Sequence, residues 1–145
     1  MEELLEQYEE SAREFCRAVK AVSNPLVKIE GSEWNAHQLA VHTRDVETLV
    51  YGLRLRRTLE ENDPLFTNFD GDAWMAEHYD PNEPLASVLD ELLASVLANA
   101  ARLRNLPPEA WTRTSRHEAY SGSFTAQTWL ERSLAHIEEH LKTVS

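Results

Sequence analysis

Residues 125–145 read TAQTWLERSLAHIEEHLKTVS. Leu130, Leu134, Ile137 and Leu141 recur at three- and four-residue steps, the period of a helix with one buried face. Thr125 stands before this run as a candidate N-cap. His136 and His140 are four residues apart and differ by only about 40° around the helix axis, so both side chains can reach one point. With Ile137 at the middle of the buried face, Leu130, Leu134 and Leu141 lie to one side. Trp129, Ser133, His136 and His140 lie roughly 40–100° to the other, so the histidines sit at the edge of the buried face.

Working back, three more amphipathic segments appear. The first carries Leu4 or Leu5, Tyr8, Ala12, Phe15, Val19 and Val22, and Ser23, Asn24 and Pro25 stop it. The second is expected to start at Ser32, with the stripe Leu39, His42, Val46, Leu49 and Leu53 running toward Leu59, and to fade at Asn62, Asp63 and Pro64. The third opens with Asn82 as cap and Pro84 in its first turn. It carries Leu85, Leu89, Leu92, Val96, Ala100 and Leu103 and ends at Asn105, Pro107 and Pro108. The long connection from Asn62 to Pro84 predicts a short helix around Asp72–His78. Residues 107–124 read as irregular, with Ser121, Gly122 and Ser123 in a turn. No window alternates apolar and polar residues as a strand would. The expectation is a single all-α domain over residues 1–145, a four-helix bundle.

His42 lies within the apolar stripe of the second helix, where an unbonded imidazole is costly. A lone core histidine is more often simply hydrogen-bonded, and a spaced pair alone says little. Together, His42, His136 and His140 can form a three-nitrogen metal site with a coordination position left open, and spacing alone leaves the hydrogen-bonded reading standing beside it. His42 lies about ten residues after the start of its helix, and His136 and His140 about four to eight residues before the end of theirs, so at ~1.5 Å per residue their heights match only if the two helices run antiparallel. A plain up-down-up-down bundle makes them parallel. The connection from Asn62 to Pro84 is long enough to cross the bundle, since a 29-residue helix spans only ~43 Å. The expected order is therefore up-down-down-up. The pair is not a zincin motif: Ile137 stands where the glutamate base would be, and Glu138 and Glu139 point roughly 160° and 60° away from His136.

Net charge is −11, with 25 acidic against 14 basic side chains. Such a surface repels nucleic acid and anionic membranes. Cys16 is the single cysteine, so neither an internal disulfide nor a cysteine-rich zinc site is available. It reads as a small helix residue in a reducing compartment. The start, Met1-Glu2-Glu3-Leu4-Leu5-Glu6, lacks the features of a signal peptide, and the stretch Leu92–Ala101 is about half a membrane span. A cytoplasmic protein is expected. His37 is expected to face solvent, and His117 to be a loop residue at the opposite end of the bundle from the metal. His78, Tyr79 and Asp80 read as a solvated loop, and Arg54, Arg56 and Arg57 as a solvated face.

Trp34 and His42 with seven residues between them, Asp45 and Glu47 after His42, Trp111-Thr112-Arg113, Gly122-Ser123-Phe124-Thr125 and His136-Ile137-Glu138-Glu139-His140-Leu141 together resemble the DinB-like (DinB/YfiT-like) family over most of the chain. The resemblance implies an up-down-down-up bundle holding a divalent metal at His42, His136 and His140. It also implies a homodimer and a small-molecule substrate. Family activities include thiol transfer from low-molecular-weight thiols, mycothiol-dependent isomerisation and proposed hydrolysis. The first expectation is a thiol S-transferase-type enzyme acting on a small electrophile. A metal-dependent hydrolase comes second, and a non-catalytic metal-binding or stress protein third. Imidazole ligands suit zinc or nickel best, with iron and manganese also compatible. No residue is assigned as catalytic beyond the ligands.

Overall fold

The computed structural model describes residues 1–145. Helix α1 (Glu2–Lys20) buries Tyr8, Ala12, Phe15 and Val19. A long second helix comprises α2 (Ala36–Val46), a π-helical turn (Glu47–Tyr51) and α3 (Gly52–Glu60) without interruption. Helix α4 (Gly71–His78) is the short helix expected in the long connection. Helices α5 (Leu85–Arg104) and α6 (Ala126–Val144) complete the bundle. Helix α1 packs on α5 and α6, α2 on α5, and α3 on α6. A core of 24 buried residues lies among them. Each fully buried leucine or phenylalanine contributes roughly 1.5–3 kcal/mol relative to an exposed one. No helix is long and apolar enough to cross a membrane.

Several boundaries differ from expectation. Asn35, not Ser32, caps α2. Its Oδ1 accepts from Gln38 N–H at 2.7 Å while Gln38 Oε1 accepts from Asn35 N–H at 2.9 Å, a reciprocal capping box. Ser32 Oγ instead accepts from Trp34 N–H at 3.1 Å in the turn before it. Pro84 rather than Asn82 occupies the cap position of α5. Thr125 caps α6 as expected, its N–H donating to Thr128 Oγ1 at 3.3 Å.

The π turn corrects the stripe of the second helix. Gly52 N–H donates to the Glu47 carbonyl five residues back, which inserts one extra residue into that turn. From within the turn onward the buried positions include Val50 and Arg54, each one residue later than the expected Leu49 and Leu53, and Leu49 is 40% exposed. Gly52 is required there: a Cβ would stand 2.4 Å from the Glu47 carbonyl oxygen.

The segments read as irregular hold a small sheet of order β1-β2-β3. Strand β1 (Leu65–Phe66) pairs in parallel with β2 (Ser115–His117), Phe66 opposite His117. Strand β2 pairs antiparallel with β3 (Tyr120–Phe124), Ser115 opposite Phe124. Strands of two, three and five residues are too short to show a two-residue period. The sheet ties the connection after α3 to the segment before α6.

Candidate metal centre

Helices α2 and α6 bring His42, His136 and His140 together. His136 Nε2 lies 3.1 Å from His42 Nε2 and 2.9 Å from His140 Nε2. One ligand nitrogen from each ring falls within 4.8 Å of the others, and no carboxylate joins the cluster. Nitrogens ~2.0–2.1 Å from one ion at angles of 90–110° would stand about 2.8–3.4 Å apart, which both short contacts satisfy. The hydrogen-bond alternative is poorer. His136 Nε2 has one proton or one lone pair to offer, and it faces two partners. The donor set thus fits a divalent cation.

Burial, with the His140 charge adding to it, holds His42 down to about 4. Burial chiefly, then the His140 and His42 charges, holds His136 down to about 3. Burial also lowers His140. The rings are therefore neutral near pH 7, the form that binds metals. Trp34 packs against His42 with ring centroids 4.6 Å apart, and Tyr51 against His136 at 5.8 Å. Gly71, at the start of α4, closes the other side: a Cβ there would stand 3.2 Å from His42 Cε1. The connection after α3 thereby positions a ligand ring.

The neighbouring carboxylates are occupied elsewhere. Asp45 accepts from Arg44 Nε at 2.9 Å and Trp74 Nε1 at 3.2 Å. Glu47 is buried and accepts from Tyr8 Oη, Ser133 Oγ and, at 3.3 Å, Asn99 Nδ2. Its burial raises its pKa, against the pull of those donors. It ties the π turn of the second helix to α1, α5 and α6 and does not enter the cluster.

A cavity of about 240 Å³ opens beside the triad, lined by His42, His136, Tyr51, Arg54, His117 and Arg132 among others. This corrects the placement of His117. Strand β2 carries it into the same cavity as the triad instead of the far end, and its Nδ1 accepts from Ala119 N–H at 3.0 Å. His37 is also corrected: it is 3% exposed. Its Nε2 donates to the Glu83 carbonyl and its Nδ1 accepts from Tyr79 Oη, both at 2.7 Å, so it fastens the connection and Tyr79 with it. His78 is exposed and stacks on Trp74, and Asp80 accepts from Asn82 N–H. Of the three arginines read as solvated, Arg57 pairs with Glu61 as expected. Arg54 is buried, and Arg56 reaches Asn99 Oδ1 at 3.4 Å. Cys16 is buried with its thiol near the Leu89 carbonyl, and burial raises its pKa, as an inert helix residue should show. Arg132 had a signal in the sequence, since it precedes His136 by one turn on the same face.

The family model of the DinB superfamily matches residues 1–144. The chain belongs to the DinB superfamily. Among solved structures, YfiT from Bacillus subtilis is described as a probable metal-dependent hydrolase with an unusual four-helix bundle topology. It is similar to this DinB-superfamily chain with a TM-score of 0.85 and 21% sequence identity, over 99% of this chain and 82% of its own. At that identity the likeness is one of fold. No curated protein sequence matches the chain.

Proposed function

We propose that this DinB-superfamily protein is a metal-dependent enzyme acting on a small molecule, with His42, His136 and His140 as the protein ligands of one divalent ion. The observation that carries this reading is the meeting of three neutral imidazole nitrogens, with contacts of 2.9 and 3.1 Å, beside an open cavity. Zinc or nickel suits the donor set best, with iron and manganese compatible. Bound there with its full charge, the ion would supply Lewis acidity that brings the pKa of water toward about 7 or keeps a thiol as thiolate. Trp34 and Gly71 fix the His42 ring, and Tyr51 covers His136. With no carboxylate in the cluster, the chain itself offers no base beside the ligands.

Hydrolysis is the reaction we favour. The 240 Å³ cavity has the volume of about eight waters and suits a small substrate attacked by water. The structurally similar YfiT is described as a probable metal-dependent hydrolase. Thiol transfer to a small electrophile is the second reading. It is favoured by the absent base, since a thiol with an ordinary pKa of ~8.5 needs less activation than water. The up-down-down-up order belongs to the same proposal and is supported by the meeting of His42 with His136. So does a cytoplasmic homodimer, supported by the family resemblance. The test is a panel of esters, amides and thiol–electrophile pairs offered to zinc-loaded wild type and His42→Ala. Turnover by wild type and its near-complete loss in a folded His42→Ala are expected. Equal rates in the two would sink the reading.

A further inference from the structure

The cavity beside the triad contains two arginines that no carboxylate neutralises. Arg54 is only 9% exposed, its Nη2 donates to the Thr67 carbonyl at 3.0 Å, and its guanidinium carbon lies 5.0 Å from the Trp129 ring centroid. Arg132 approaches the same ring at 5.4 Å and the Tyr120 ring at 5.1 Å. Neither makes an ion pair, although acidic side chains outnumber basic ones by 25 to 14. Arg17, Arg44, Arg57, Arg102, Arg104 and Arg116 each have a carboxylate, whereas Arg13, Arg56 and Arg113, which do not line the cavity, have none.

Two cations this close, one of them buried, are costly without a counter-charge. Burial pushes the Arg54 guanidinium below its ordinary value, and the Arg132 charge pushes the same way. The Trp129 ring beside both guanidiniums offsets part of that cost. Apart from the N–H that Arg54 gives to Thr67, the donors of both forks have no protein partner. His117 lines the same cavity. Because its Nδ1 accepts from Ala119 N–H, its Nε2 carries the ring proton and is a further donor. Arg132 lies one turn, about 6 Å of rise, from His136 on α6. Tyr51 touches both His136, at 5.8 Å between ring centroids, and Arg54, at 6.0 Å. The unneutralised cations are thus neighbours of the triad.

Resting on the metal-enzyme reading above, we infer that Arg54 and Arg132 form an anion subsite. It binds the carboxylate or phosphate of a small substrate whose reacting end faces His42 and His136. Planar forks match oxyanions through paired N–H···O bonds, a geometry that a neutral amide cannot reproduce. A cavity of about 240 Å³ limits the substrate to a compact molecule.

The probes are benzoate, inorganic phosphate and neutral benzamide, titrated calorimetrically at pH 7.5 into both metal-free and zinc-loaded protein. At least one anion is expected to bind the metal-free form, with benzamide at least tenfold weaker than benzoate if the carboxylate is the ligand. Whichever anion binds more tightly identifies the substrate's group. Arg132→Met should weaken that anion tenfold or more, Arg132→Lys less, and the surface variant Arg102→Met not at all. No anion binding to the metal-free form would overturn the subsite, since binding to the zinc-loaded form alone is binding to the ion, as would wild-type anion affinity in Arg132→Met. Zinc binding without anion binding would leave the metal reading standing and remove the subsite. Anion binding to a protein that takes up no zinc would do the reverse.

Discussion

Replacing Gly52 by alanine tests whether the π turn sets the phase of the second helix. In an ordinary helix interior, Gly→Ala stabilises by about 0.5–1 kcal/mol, because alanine loses less backbone entropy. Here the new Cβ would stand 2.4 Å from the Glu47 carbonyl oxygen and 3.0 Å from Asn99 Nδ2. Carbon–oxygen contacts are normally about 3.3–3.6 Å, so the overlap with backbone is roughly 1 Å. Overpacking of that kind costs about 1–3 kcal/mol. The net expectation is a loss of about 1–2 kcal/mol, read by urea unfolding followed by circular dichroism. The chain's other escape is to relax the turn to α geometry, which would rotate everything after it by about 100°. That would carry Arg54 away from Trp129 and move the cavity wall, so tryptophan fluorescence should change along with stability. A Gly52→Ala variant more stable than wild type by the ordinary helical increment would refute the reasoning.

The ligand shell, the titration of the histidines and metal removal give further expectations. Gly71→Val should weaken zinc binding about tenfold or more by displacing the His42 ring, with the melting temperature little changed; unchanged calorimetric affinity would show that Gly71 does not position His42. In metal-free protein, His42 is held down to about 4 and His136 to about 3, below the ~6.5 of the unfolded chain. Between those values the unfolded chain takes up protons that the folded chain refuses, so stability should fall as pH drops from ~6.5 toward 4. Glu47, raised by its burial, acts in the opposite sense. The comparison is therefore with a His42→Gln, His136→Gln double variant, which keeps Glu47 and should lose less stability; identical slopes would contradict the assignment. Chelation should lower the melting temperature of zinc-loaded protein without abolishing helical circular dichroism, because the 24-residue core does not depend on the ion. Unfolding on chelation would overturn this.

Helical periodicity made α1, α5 and α6 legible, because their buried residues keep one phase from end to end. His42, His136 and His140 could be grouped from sequence for the same reason: each position's height and face follow from helix geometry alone. The second helix lost its phase at residues 47–51, and Gly52 inside an apolar stripe was the one sign of it. His37 was misread because its angle on α2 does not reveal that Tyr79 and Glu83 cover that face. His117 and Arg54 were misread because their surroundings come from the sheet and the segment after α3, long-range pairings with no local period.

The metal site is tested most directly by loading metal-free protein with zinc and counting ions per chain by native mass spectrometry. The wild type and a His136→Ala, His140→Ala double variant are compared. The expected result is one zinc in the wild type and none in the variant, with both folded by circular dichroism. Equal zinc occupancy in the two proteins would contradict the site formed by His42, His136 and His140.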